Sequence, residues 1–245
     1  MTSTVPEQVT IVEVGPRDGL QNEKIFVETP RKIALIDMLS ACGFRRIEAA
    51  SFVSPRWVPQ MADGAEVMAG IARRPGVIYS VLTPNLKGFD AALAARADEV
   101  AIFASASESF SQKNINCSIA ESLERFRPVM DAAKAAGIPV RGYVSCVVEC
   151  PYEGPIAPDA VARVTGDMLA LGCHEVSLGD TLGRGRPETI AAMLDAVLSA
   201  APAARLAGHY HDTNGRAGES IEVSLEKGLR VFDSAIGGLG GCPYA

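Results

Sequence analysis

His209-Tyr210-His211 sets two imidazoles two residues apart. In a strand, residues i and i+2 project to one face, so both rings would look one way and Tyr210 the other. That is half a metal site; the plainer alternative is a pair of histidines that pack or meet solvent. Arg17-Asp18 offers a cation and a carboxylate just before Gly19, and Asp18 is the natural third ligand. One carboxylate and two imidazoles leave open positions for substrate oxygens and water, a set that suits Mg²⁺ or Mn²⁺. Zinc also accepts such a trio. Non-haem iron accepts it too, but would leave the cysteine loop unexplained. Asp18 equally reads as a turn residue. The stretch 237–245, Gly-Gly-Leu-Gly-Gly-Cys-Pro-Tyr-Ala, lacks the Lys-Ser ending of a phosphate loop, and Pro243 breaks a dinucleotide pattern. Glycines leading into the single Cys242 suggest a flexible flap that delivers a thiol to a pocket. A structural turn with a buried thiol is the competing reading.

These residues need a frame that brings them together. Short β-rich runs fall at 9–14, 46–52, 77–82, 99–103, 140–144, 174–178, 206–210 and 231–236. Helical patterns separate them: one opening at Thr29-Pro30, cap followed by proline, and closing at Gly43, then 61–73, 88–96, 118–136, 158–171, 187–200 and 217–228. The pattern at 118–136 begins with a capping box at Ser118 and Glu121 and stops at Gly137. Strict alternation of this kind predicts an α/β fold, a TIM (β/α)8 barrel in one domain over 1–245 that lacks its last helix. An open doubly wound sheet is the runner-up.

In such a barrel, chemistry gathers at the C-terminal ends of the strands. Arg17 and Asp18 end the first run, Glu48 and Ser51 lie in the second, and Ser177 to Asp180 end the sixth. Asp18 then faces the same mouth as His209 and His211. The segment 105–117, with Lys113 and Asn114, is long for a βα loop and reads as a substrate loop. Trp57 and Met61 read as packing residues, and His174 as a surface residue at the opposite end.

A net charge of −6 gives no footing for a nucleic-acid backbone or an anionic membrane. No apolar run reaches spanning length, and 1–8 carries neither a secretory nor an import pattern. Six scattered cysteines without a C-x-x-C pair point to a reduced, cytoplasmic protein. Cys146 and Cys150 read as a thiol pair.

Several longer motifs occur in one order: residues 14–23 (Val-Gly-Pro-Arg-Asp-Gly-Leu-Gln-Asn-Glu), 51–55, 83–88, 113–118, 150–154 and the closing Gly240-Gly241-Cys242-Pro243-Tyr244-Ala245. Together they closely resemble the 3-hydroxy-3-methylglutaryl-CoA lyase family, from about residue 9 to the last. The resemblance implies a metal-dependent barrel enzyme that cleaves a hydroxymethylglutaryl thioester to acetyl-CoA and acetoacetate, a step of leucine degradation and ketone-body formation. It implies Asp18, His209 and His211 as ligands of Mg²⁺ or Mn²⁺, with Zn²⁺ as an alternative. It also implies Arg17 on the substrate carbonyl, Cys242 as the proton-handling thiol, Glu48 and Asp180 in support, and Ser51, Asn114 and Ser177 as substrate contacts. The family supplies a further asparagine ligand a short way beyond Cys-Pro-Tyr-Ala, past the end of this sequence. The expected partners are an acyl-CoA substrate and a second copy of the chain in a homodimer.

The chemistry asks for those parts. Breaking the C2–C3 bond requires deprotonating a tertiary alcohol, and a divalent ion can lower even the pKa of water from 15.7 to about 7. The electrons collect on the thioester, where a fixed cation such as Arg17 stabilises them. A thiol near that carbon then returns a proton. Alternatives are a lyase for a larger C3 substituent, a condensing synthase of the same barrel type, and a catalytically silent metal-binding scaffold.

Overall fold

The structure, a computed structural model, describes residues 8–241. Eight parallel strands close a barrel: β1 (Thr10–Glu13), β2 (Arg46–Ser51), β3 (Ile78–Leu82), β4 (Glu99–Ser105), β5 (Val140–Ser145), β8 (Glu175–Asp180), β9 (Leu206–Tyr210) and β10 (Val231–Ser234). The short strands β6 (Glu149–Cys150) and β7 (Gly154–Pro155) form a separate hairpin at the mouth. Around the barrel run α1 (Thr29–Ala41), α2 (Gly64–Gly70), α3 (Leu86–Ala94), α4 (Glu108–Ile115), α5 (Ile119–Ala136), α6 (Pro158–Leu171), α7 (Pro187–Ala200) and α8 (Ala217–Glu226). The (β/α)8 barrel expected from the alternation is therefore the fold. No helix among the described residues is long and apolar enough to cross a membrane.

Three local expectations change. The segment read as a long polar loop contains α4, whose N-terminus is capped by the Ser107 hydroxyl accepting from Phe110 N at 3.0 Å. Helix α4 ends on Asn116 in the left-handed conformation. Thr29 is not the cap of α1 but its first residue, and its hydroxyl donates to Asp63 at 2.8 Å. Trp57 does not pack its loop: it is 77% exposed, whereas Met61 is buried. The capping box at Ser118 and Glu121 is present, and Gly137 closes α5 with φ +68°. Cys146 and Cys150 are free thiols, the latter accepting from the Ser107 hydroxyl at 3.0 Å.

Strand alternation explains why the barrel interior is polar. Along β5, Val140 and Val144 turn to the helices and join the main apolar core, while Arg141 and Tyr143 hydrogen-bond to each other at 2.9 Å. Burying those charges is tolerable only because they are paired. Arg46 meets Glu175 at 3.0 Å and Glu99 at 3.4 Å, and half-exposed His174 caps Glu99 at 2.7 Å. Arg141 reaches Glu175 at 2.7 Å and, on its other side, Asp233 at 2.7 Å. A string of alternating charges thus climbs from the N-terminal end of the barrel towards the mouth.

That string sets an acid response. Burial pushes the Glu175 carboxyl up, but Arg141 and Arg46 outweigh it and hold it below the usual range. A carboxyl with a depressed folded pKa contributes stability above its unfolded pKa and loses it as pH falls through the folded value. Glu175→Gln should therefore unfold about 3 kcal/mol more easily at neutral pH. The gap from the parent should narrow as pH drops below about 4. Urea titrations at neutral and acid pH measure both, and a gap independent of pH would show that the charge of Glu175 is not what matters.

Candidate metal and substrate site

The chain leaves β1 through a single π-helical turn, Gly15–Gly19. The Val14 carbonyl accepts from the amides of Arg17, Asp18 and Gly19 at 3.1, 2.7 and 3.2 Å, the last of which closes the wide turn. Such wide turns recur at functional sites because they re-aim side chains. Glu13, buried, fixes the turn by accepting from Gly15 N and from Ile236 N, both at 2.9 Å. A side chain at Gly15 would meet Glu13 Oε1 at 2.5 Å.

Arg17 is turned inward, 5% exposed, and its guanidinium is clamped. Nε and Nη2 reach Glu48 Oε2 at 2.8 and 2.6 Å, and Nη1 reaches Asp18 Oδ1 at 2.5 Å. The guanidinium carbons of Arg17 and Arg141 lie 5.6 and 5.0 Å from the centre of the Tyr143 ring. Burial raises the Glu48 carboxyl, and Arg17 only partly offsets it. Burial would raise Asp18 too, but the Arg17 charge, then those of His209 and His211, hold it below the usual carboxylate range.

His209 ends β9's inward row and His211 follows the strand, so i,i+2 geometry brings their rings together. The two Nε2 atoms stand 3.1 Å apart. His211 Nδ1 is 2.9 Å from the Thr181 carbonyl, which can only accept, and His209 Nδ1 is 2.9 Å from the Asp233 carboxylate. Both Nδ1 atoms therefore carry the proton in the neutral rings, and two Nε2 lone pairs face each other. Facing lone pairs repel, and a cation between them removes the repulsion. Asp18 Oδ2 lies 3.5 Å from His209 Nε2, and one donor atom each of Asp18, His209 and His211 falls within 4.8 Å of the others. The trio fits a divalent cation with sites left open. Burial, then His209, lowers the pKa of His211; for His209 burial also lowers it, but the Asp233 hydrogen bond and Asp18 outweigh burial. The loop after β8 supports the pair from behind: Gly183, at φ +62°, leaves room where a Cβ would strike the His211 carbonyl at 2.5 Å.

The trio sits at the floor of a cavity of about 1090 Å³, with Arg17 and Tyr143 beside it. Trp57, Lys24, Lys113 and Arg125 line its outer part, and Asn114 of α4 is on the wall. The cavity is large enough for an extended, anionic ligand whose reacting end reaches the histidines.

The other expected residues are placed differently. Ser51 and Ser177 are buried and not on the cavity wall; Ser51 Oγ accepts from Val53 N at 3.2 Å, and Ser177 donates to Asp233 at 2.8 Å. Asp180 closes the loop after β8 by accepting from Gly185 N at 2.7 Å and Arg184 N at 3.3 Å. Glu48 is behind Arg17 rather than on the cavity. Cys242 lies outside the described residues; Gly241 before it lines the cavity, and its carbonyl accepts from Asn22 at 2.8 Å. The residues that motif reading missed are Glu13, Tyr143 and Asp233. A charged residue in the apolar run Val231-Phe232-Asp233 was the one available signal for the last of them.

A family model described as HMGL-like matches residues 8–242. The chain is 63% identical over 240 residues to the mitochondrial hydroxymethylglutaryl-CoA lyase of Gallus gallus, covering 98% of this chain and 80% of that protein. It is 58% identical over 241 residues to a 3-hydroxy-3-isohexenylglutaryl-CoA/hydroxy-methylglutaryl-CoA lyase of Pseudomonas aeruginosa, covering 98% and 80%. The crystal structure of the HMG-CoA lyase from Brucella melitensis superposes with a TM-score of 0.96 at 69% identity, covering 98% of this chain and 85% of that one.

Proposed function

The chain belongs to the HMGL-like family, and from that premise we propose that it is a divalent-metal-dependent carbon–carbon lyase cleaving 3-hydroxy-3-methylglutaryl-CoA to acetyl-CoA and acetoacetate. The observation that carries the reading is the convergence of Asp18, His209 and His211 on the cavity floor, beside the clamped Arg17. Asp18 and the two Nε2 atoms would hold Mg²⁺ or Mn²⁺, with Zn²⁺ as the alternative. When bound, the cation supplies the Lewis acidity that makes a tertiary hydroxyl acidic enough to lose its proton near neutral pH.

The chain's own residues do the rest. Breaking C2–C3 turns the carbinol carbon into the ketone of acetoacetate and leaves the bonding pair on C2, delocalised onto the thioester oxygen. Arg17, held rigid by Glu48, presents fixed positive charge to that oxygen. Cys242 supplies the proton that C2 takes up to give acetyl-CoA, and the hydroxyl's proton restores the thiol. Asn114 on the wall binds the substrate, and Lys24, Lys113 and Arg125 favour the phosphates of the carrier. Ser51 and Asp180 shape the loops around the site, and Ser177 acts through Asp233. The reading extends to the cytoplasm, supported by the free thiols among the described residues, and to leucine degradation and ketone-body formation. It also extends to a homodimer, which sedimentation would test.

With Mn²⁺ or Mg²⁺, the protein should release acetyl-CoA and acetoacetate in equal amounts, and a chelator should stop it. Normal Mn²⁺ binding without cleavage would sink the assignment. Cys242→Ser should slow turnover by about 10²–10⁴-fold while binding Mn²⁺ as the parent does. A second substrate class, with a larger C3 substituent, is favoured by the generous cavity and by the Pseudomonas relative's name. Relative kcat/KM on the methyl and long-chain thioesters decides between them.

A further inference from the structure

Asp233, on β10, is 1% exposed at its side chain and takes four donors from three other strands. Arg141 of β5 gives Nη2 to Oδ1 at 2.7 Å and Nη1 to Oδ2 at 3.2 Å. Ser177 of β8 donates to Oδ2 at 2.8 Å, and His209 Nδ1 of β9 lies 2.9 Å from the same oxygen. A carboxylate so held cannot turn, and Arg141 keeps it ionised, so it can only accept. His209 is thereby bracketed by two acids: Asp18 stands 3.5 Å from Nε2, on the side of the cation site, and Asp233 is on the Nδ1 side. The one belongs with the ligands, while the other fixes which nitrogen is free to ligate.

We propose that Asp233 is the positioning residue of the metal centre, locking His209 in the Nδ1–H form with its Nε2 lone pair aimed at His211 Nε2, and that Arg141 and Ser177 hold Asp233 in place. The inference rests on the metal reading above but not on which thioester is cleaved. Outer partners of this type tune a metal by setting the tautomer, orientation and basicity of the ligand. An asparagine at 233 keeps the shape but not the function: its single acceptor oxygen cannot serve donors on both sides, and its amide would face Arg141 or His209.

Two measurements test this without substrate. Long-range ¹H–¹⁵N NMR of the metal-free protein at alkaline pH, where imidazoles are neutral, should find His209 protonated at Nδ1. A proton on Nε2 would overturn the proposal, whether or not any variant folds. Mn²⁺ titration by calorimetry should then find Asp233→Asn binding about 10–100-fold more weakly than the parent, with the His209 tautomer mixed. A folded Asp233→Asn protein with parental Mn²⁺ affinity and an unmixed tautomer would equally overturn it. A parent protein that gives both results as expected but cleaves no thioester would instead count against the assigned reaction.

Discussion

Arg17→Gln should lose about a thousandfold or more in turnover while binding Mn²⁺ nearly as the parent does. Two physical effects are involved, and they separate. The first is chemical: glutamine carries no charge to meet the electrons that leave the C2–C3 bond. The second is structural. Arg17 is the counter-charge of Glu48, which is fully buried and accepts all of Arg17's inward bonds on one oxygen. Removing one partner of a buried pair costs about 3–5 kcal/mol, because the other charge stays in the interior unpaired. Glu48 is already pushed up by burial, and losing Arg17 removes the charge that offsets it. The double variant Arg17→Gln/Glu48→Gln should therefore regain much of the lost stability and none of the lost rate. Urea unfolding and kcat on the same samples check both, and a single variant within tenfold of parental turnover would remove Arg17 from the chemistry.

His211→Ala and His209→Ala should each weaken Mn²⁺ binding by more than the roughly 10–100-fold typical of an outer-sphere change, since each removes a donor outright. The parent's affinity should fall as pH falls through the imidazole range, by up to about tenfold per pH unit for each ring that must lose a proton. The sign follows from competition: protons and the cation seek the same Nε2. His209 should begin to compete at a higher pH than an ordinary histidine, because Asp233 and Asp18 favour its charged form more than burial disfavours it. In His209→Ala that upper part of the profile should vanish. An affinity independent of pH in the parent would show that the imidazoles are not the ligands.

The frame of this site was legible because each part was local. Eight β-rich runs alternating with helical periodicity specify the barrel, and the i,i+2 rule aligns His209 with His211 whatever the rest of the chain does. Asp18 was legible once the first run was placed at the mouth. Helix α4 was hidden because it is short and mostly polar, with the weak helix formers Ser109, Ser111 and Asn114, and its caps at Ser107 and Asn116 carried the only signal. The resemblance implied Ser177 as a substrate contact, and its hydrogen bond to Asp233 on another strand was not legible from the sequence. The interior charges form one network through Arg141, and no spacing rule connects residues 141, 177, 209 and 233. Such long-range pairing is visible only when the strands are side by side.

The seam of the barrel also governs when the site can exist. Strand β10 lies between β1 and β9, and its pairing with β1 sets Thr10 opposite Val231, nearly the whole described chain apart. Pairings of such sequence separation form late, because the loop entropy is lost before the contacts compensate. Asp18 meets His209 and His211 only across this seam, and Glu13 then ties the two strand ends together through Gly15 and Ile236. Partly folded chains therefore offer a cation two histidines at most, and the full trio only after closure. Metal binding acts as a selective ligand for the closed barrel, worth about 4 kcal/mol when free cation exceeds its Kd a thousandfold.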